Sequence, residues 1–180
     1  MQKPKKKITS KVVHKNPFYQ IRKDTYVRNN NKKGEYYVVS VNPFVIICAL
    51  SKDRKKVQMI KNWRYPLNRF NWELPAGIVD KNETPLMAAK RELFEETGLK
   101  AKKWKSLGWF FISPGNSNQK GYIYLAESIE KEKGAIIDQE IAGEKRVSLT
   151  KLKKMIEQKK VLGAPTLIAL QKLQDHLDKH

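Results

Sequence analysis

Cysteine is nearly absent from this 180-residue chain, with Cys48 as its single example, and histidine occurs three times. One thiol excludes an internal disulfide framework, and so few soft donors exclude a zinc-finger pattern. Cys48 lies within an apolar run and reads as a small core residue. Long hydrophobic runs are also missing. The longest continuous one, Phe44 to Leu50, is far too short to span a bilayer. The N-terminal MQKPKKK is basic but no apolar stretch follows it, so no secretory signal is expected and the chain reads as cytoplasmic. Acidic charge is scarce as well. Eighteen Asp and Glu face 37 Lys and Arg, a net charge of +19. A basic balance raises nucleic acid as a partner. The lysines fall in short clusters at 3–7, 100–105, 151–154 and 158–160, however, and no RNA-binding sheet signature accompanies them. Binding of a nucleic-acid polymer is therefore not expected. A small polyanionic substrate would equally suit a positive field.

Against this acid-poor background, one segment concentrates carboxylates. Gly77 to Leu99, GIVDKNETPLMAAKRELFEETGL, holds five acidic residues and Arg91 between two glycines. Glu92, Glu95 and Glu96 stand at i, i+3 and i+4, so on a helix they share one stripe. Three like charges on a stripe repel, and a divalent cation with a preference for hard oxygen ligands, Mg²⁺ or Mn²⁺, resolves the conflict. The segment has helix ends. Thr84 is placed to cap it, Pro85 suits the first turn, and Gly98 can take the left-handed conformation that stops it. Leu86, Ala89 and Leu93 form an apolar stripe beside the acids. Arg91, one turn before Glu95, can pair with it. Leu74-Pro75-Ala76-Gly77 reads as a strand end followed by a loop, with Gly77 allowing close approach of the Ala76 carbonyl to a cation.

The order Gly77, five residues, Glu83, seven residues, Arg91-Glu92-Leu93-x-Glu95-Glu96-x-Gly98-Leu99 fills every fixed position of the Nudix box, GX5EX7REUXEEXGU. The chain resembles the Nudix hydrolases. The resemblance implies an α/β fold, an α/β/α sandwich with a mixed central sheet. It also implies Mg²⁺-dependent hydrolysis of a nucleoside diphosphate linked to another group, with Mn²⁺ as substitute. Metal ligands would be Ala76 (through its carbonyl), Glu92, Glu95 and Glu96, with Glu95 and Arg91 also serving catalysis.

Residues outside the box narrow the resemblance. Asn62-Trp-Arg-Tyr-Pro66 followed by Trp72-Glu-Leu-Pro-Ala-Gly77 is similar to ADP-ribose and nucleoside diphosphate sugar pyrophosphatases. Arg64 would bind substrate phosphates in two-point fashion, and Glu73 would lie at the substrate. Downstream, Ser113-Pro-Gly-Asn-Ser-Asn-Gln119 resembles the same subfamily's loop, with Pro114 as its mark and Gln119 or Asn118 where relatives carry an acid. Pro114 and Gln119 are counted with the substrate-binding residues. Because that loop lacks a carboxylate, the general base is expected from 131–144, as Glu140, with Glu144 and Asp138 behind it.

The remaining segments complete the organisation. Residues 1–40 read as an N-terminal β extension and dimerisation arm, and 41–180 as the Nudix domain. Residues 1–7 are expected to be disordered, 11–15 and 18–28 to be strands, 29–34 a hairpin loop, and about 165–178 the last helix. The expected product is a homodimer acting on a small nucleotide-sugar, without membrane association. Two other functions are compatible with the box: hydrolysis of nucleoside triphosphates or RNA 5′ ends, and a non-catalytic domain that binds nucleotide or RNA.

Overall fold

The computed structural model describes residues 6–135 and 137–179. The described parts of 1–43 with 111–120, and of 44–110 with 121–180, form two compact units.

In the first unit, β1 (Lys6–Lys15), β2 (Tyr19–Val27) and β3 (Lys33–Val41) make an antiparallel meander. Lys6 and Lys7 are therefore strand rather than disorder, because each pairs across to β2, at Val27 and Tyr26. The remainder of that expected disorder, 1–5, lies outside the described residues. The hairpin loop is shorter than expected, since Lys33 and Gly34 already pair with Val27 and Tyr26. Residues 113–119 dock on β3: Val39 N–H donates to the Asn116 carbonyl (2.8 Å), and the Tyr36 hydroxyl donates to the Gly115 carbonyl.

The second unit is organised around β4 (Phe44–Ala49), every residue of which except Phe44 is fully buried. A strand's side chains alternate between faces, so a continuous apolar run fits a strand covered on both. Val45, Ile47 and Ala49 pack with Ala88, Ala89 and Leu93 of α1 (Pro85–Thr97). Ile46 and Cys48 face the opposite core with Leu50. That core also contains Val57 and Met59 of β5 (Lys56–Arg64), and Leu152 and Met155 of α2 (Leu149–Glu157). Ala169 and Leu173 of α3 (Ala164–Leu177) complete it. Burial pushes the Cys48 thiol up to about 12, and its Sγ lies 3.6 Å from the Ala169 carbonyl.

The other strands of the unit are β6 (Arg69–Glu73), β7 (Ala76–Ile78), β8 (Leu99–Phe111), β9 (Lys120–Lys131) and β10 (Ile141–Ser148); β8 and β9 reach into 111–120. The central sheet is mixed, in the order β7-β4-β9-β8, with β4 parallel to β9 and antiparallel to β7. A second, antiparallel sheet runs β10-β5-β6. Helices thus cover both sides of the mixed sheet, as an α/β/α sandwich requires. The segment after Leu74 departs from expectation. Ala76–Ile78 is not loop but a short strand, held by pairing of Ala76 with Ile46 and Gly77 with Val45. Among the described residues, no helix is long and apolar enough to cross a membrane.

Candidate functional site

The ends of α1 follow from local chemistry. Thr84 sits in an extended conformation and its hydroxyl accepts the Met87 N–H at 3.3 Å. Pro85 takes the first helical position, where a missing N–H costs nothing. Gly98, at φ 64°, returns its N–H to the Phe94 carbonyl. Ala88, Ala89 and Leu93 are buried against β4, with Leu86 half-buried beside them. This packing fixes the rotation of the helix and turns Glu92 and Glu96 toward β7.

Arg91 is the hub of the acidic face. Its Nε donates to Glu83 Oε1 (3.0 Å) and Nη2 to Glu83 Oε2 (2.9 Å). Nη1 reaches Glu92 (2.6 Å) and Glu95 (2.9 Å), and Nη2 also donates to the Ile78 carbonyl (3.0 Å). The expected Arg91–Glu95 pair is present, as one of several. Hydrogen bonding from Arg91 holds the Glu83 carboxyl below its usual range. Glu83 was absent from the expected site, although it occupies a fixed position of the box eight residues before Arg91.

Two carboxylates sit in drier surroundings. Glu96 is only 8% exposed, and its Oε2 accepts the Ala76 N–H at 2.9 Å. Burial raises its pKa to about 8, against the lowering effect of that hydrogen bond. Burial also raises Glu92, more than Arg91 lowers it. Gly77 explains how the Glu92 carboxyl fits. A Cβ on residue 77 would stand 2.0 Å from its carboxyl carbon. Glycine is needed there for space, since its φ is not in the left-handed region. Among the described residues no three His, Cys, Asp or Glu side chains already converge as a metal cage. The donor chemistry nonetheless fits a hard divalent cation: two carboxylates one helical turn apart, both destabilised as charges by burial, with a cradle that a side chain at 77 would fill.

Arg64 on β5 lies opposite Arg69, and Glu73 on β6 lies opposite Ile60; their side chains nonetheless pair in two-point fashion, with Nε donating to Oε1 at 2.8 Å and Nη2 donating to Oε2. Glu73, Glu96 and Glu140, in that order, act on the Arg64 guanidinium and raise its pKa. All three carboxylates therefore lie within electrostatic reach of Arg64. The Glu73 carboxylate is engaged within the protein, by Arg64 and by Asn71 Nδ2 at 2.8 Å. Asn71 is another member that sequence reasoning did not find. Its only signal there was a polar residue in an otherwise strand-like run.

The loop expected over 131–144 is shorter, 132–140, because β9 extends to Lys131 and β10 begins at Ile141. Glu144 is thus a strand residue paired with Ile60, and its carboxylate accepts from Gln58 Nε2 (3.1 Å) and Lys131 Nζ (2.5 Å). Asp138 N–H donates to the Glu95 carbonyl (2.9 Å), and its side chain accepts the Glu140 N–H (2.9 Å). The Glu140 side chain is left exposed. A cavity of about 290 Å³ is lined by Glu95, Ile137, Asp138 and Gln139. Pro114 and Gln119 belong to the first unit, where Gln119 Nε2 donates to the Asn42 carbonyl at 3.0 Å.

Comparison with known proteins agrees with this arrangement. Residues 42–166 match the model of the NUDIX domain. The chain is 36% identical over 157 residues to an ADP-ribose pyrophosphatase of Bacillus subtilis (strain 168), covering 84% of each chain. It is 30% identical over 147 residues to a methanol dehydrogenase activator of Bacillus methanolicus, covering 81% of this chain and 79% of that one. In fold it is similar to a crystal structure of an ADP compounds hydrolase, with a TM-score of 0.84 at 19% identity over 99% of this chain and 96% of the other. A complete box on a capped helix, inside a domain match that covers most of the chain, places this protein in the Nudix hydrolase family.

Proposed function

We propose that this chain is a Mg²⁺-dependent pyrophosphatase that hydrolyses the diphosphate bond of ADP-ribose or a related nucleoside diphosphate sugar. The products are a nucleoside monophosphate and a sugar phosphate. The observation that carries the reading is the joining, within electrostatic reach, of the paired Arg64 guanidinium to the buried box carboxylate Glu96. The 36% identity to an ADP-ribose pyrophosphatase over 84% of both chains supports the substrate class.

Glu92, Glu96, Glu95 and the Ala76 carbonyl would hold Mg²⁺, with Mn²⁺ as substitute. The ion, when bound, neutralises charge on the diphosphate and lowers the pKa of bound water. Arg91 spaces the carboxylates by hydrogen-bonding Glu83, Glu92 and Glu95 together. Arg64 binds the diphosphate, and Glu73 fixes the plane of its guanidinium. Glu140 accepts a proton from water. Its backbone is held by Asp138 while its carboxylate stays exposed, as a base that meets water requires. Pro114 and Gln119 shape the substrate loop. Residues 1–40 form a dimerisation arm, with 41–180 as the catalytic domain. An exposed β1 edge supports the homodimer, because an unpaired edge strand invites pairing with another chain. The protein acts in the cytoplasm.

A panel of ADP-ribose, GDP-mannose, deoxynucleoside triphosphates and 5′-triphosphate RNA, each with Mg²⁺, tests the substrate class. Phosphate-monoester release from the nucleoside diphosphate sugars is expected. Turnover confined to triphosphates or RNA would refute it.

A further inference from the structure

Arg64 has five N–H donors, and Glu73 occupies the Nε–H and one on Nη2. Its remaining edge is available to a ligand, and its side chain is 45% exposed. The direction of that edge depends on the torsion of the Glu73 carboxylate. Glu73 Oε1 accepts a second hydrogen bond, from Asn71 Nδ2 at 2.8 Å. Asn71 lies two residues before Glu73 on the same face of β6 and is 1% exposed. Its amide cannot turn over freely, because Oδ1 accepts the Leu162 N–H at 3.0 Å. Both ends of the amide are thus assigned by partners of opposite character, one carboxylate and one N–H. Aspartate would lose the donor, and an aliphatic residue would lose both.

Leu162 belongs to the connection between α2 and α3, and that connection is docked on β6 at two further points. Trp72 N–H donates to the Lys160 carbonyl (2.9 Å), and Arg69 Nη2 donates to the Lys159 carbonyl (3.0 Å). The chain of fixed groups therefore runs from Leu162 through Asn71 and Glu73 to Arg64.

We propose that Asn71 is a positioning residue for substrate binding: it locks the Glu73 carboxylate and, through it, the guanidinium plane of Arg64 that meets the diphosphate. The proposal rests on the reading of Arg64 given above. Asn71 makes no contact with substrate. It reduces the set of directions in which Arg64 presents its free donors, and binding then requires less ordering.

The experiment is a double-mutant cycle on kcat/KM for ADP-ribose with Mg²⁺, using Asn71→Ala, Arg64→Ala and the double variant. Asn71→Ala is expected to lower kcat/KM about tenfold, chiefly through KM, in the wild-type background, and less than twofold once Arg64 is alanine. Asn71→Asp keeps the acceptor for Leu162 but sets a second carboxylate against Glu73, so a thermal melt of every variant, with kinetics taken per folded molecule, guards against misfolding. Asn71→Asp should lose as much as Asn71→Ala. Equal losses in both backgrounds, or wild-type kcat/KM in Asn71→Asp, would overturn the proposal alone. An active Arg64→Ala protein with unchanged kcat/KM overturns the role of Arg64 and the proposal with it. A wild-type protein that hydrolyses no nucleoside diphosphate sugar overturns the substrate reading and both.

Discussion

Replacing Glu96 by glutamine in the metal-free protein should change the pH dependence of stability in a specific direction. In the folded protein Glu96 titrates at about 8, against an ordinary value of 4.5. A carboxyl raised on folding contributes stability that is fully present below the unfolded value and is lost as pH rises through the folded one. Between pH 6 and 8 the native state retains a proton that the unfolded chain has released. Stability then falls by about 1.4 kcal/mol per pH unit, half that by pH 8, or ~2.3 kcal/mol across that interval. For a protein of this size that is about 5–10 °C in Tm. A glutamine side chain at this position is neutral at every pH, matches the protonated acid in shape, and offers an oxygen to the Ala76 N–H that Glu96 Oε2 now accepts. The variant should therefore melt close to wild type near pH 5 and above it at pH 9. Differential scanning calorimetry in EDTA, across pH 5 to 9, measures both curves. Parallel curves would refute the assignment of a dry, proton-holding Glu96. Adding Mg²⁺ should raise the Tm of wild type more than that of the variant, by linkage of binding to folding. With Mg²⁺ present the variant should turn over at least about 10²-fold more slowly.

Three further outcomes are expected. Gly77→Ala should leave Tm within a few degrees, since only the flexible end of Glu92 must move, but should lower kcat by more than about tenfold; steady-state kinetics beside a thermal melt separates the two, and unchanged kcat would count against a role for the Glu92 position. Glu140→Gln should lower kcat strongly with KM nearly constant, whereas Glu144→Gln, by leaving one acceptor for the two donors Gln58 Nε2 and Lys131 Nζ, should act on stability first; wild-type kcat in Glu140→Gln would move the base elsewhere. Multi-angle light scattering at micromolar concentration should give about twice the 21.0 kDa chain mass, and a monomer would remove the dimerisation arm.

The helix of the box was legible because its signals are local. Thr84, Pro85 and Gly98 each act within one turn, and all three do what the sequence implied. The same is true of β4, whose uninterrupted apolar run required cover on two faces. The placement of Glu144 on a strand rather than in the 131–144 loop is set by its strand partner. Nothing in its neighbours in sequence announces the amide of Gln58, 86 positions away. Ala76–Ile78 reads as loop beside Pro75, and only pairing with Val45 and Ile46 makes it strand. Asn71 was hidden for the same reason, as its two partners are Glu73 on its own strand and a backbone N–H 91 residues downstream. Hydrogen bonds between distant segments have no periodicity for sequence reasoning to find.

The placement of Cys48 has a practical use. The sole thiol of the chain sits next to the last residue of the strand that both cores share, with no exposure and its pKa pushed to about 12. In the native state it is closed to alkylating reagents by access and by the lack of thiolate. Its rate of modification therefore reports how often the middle of the sandwich opens, rather than the fraying of loops. One mass shift per molecule, followed over time, becomes a clock for global unfolding that needs no engineered label.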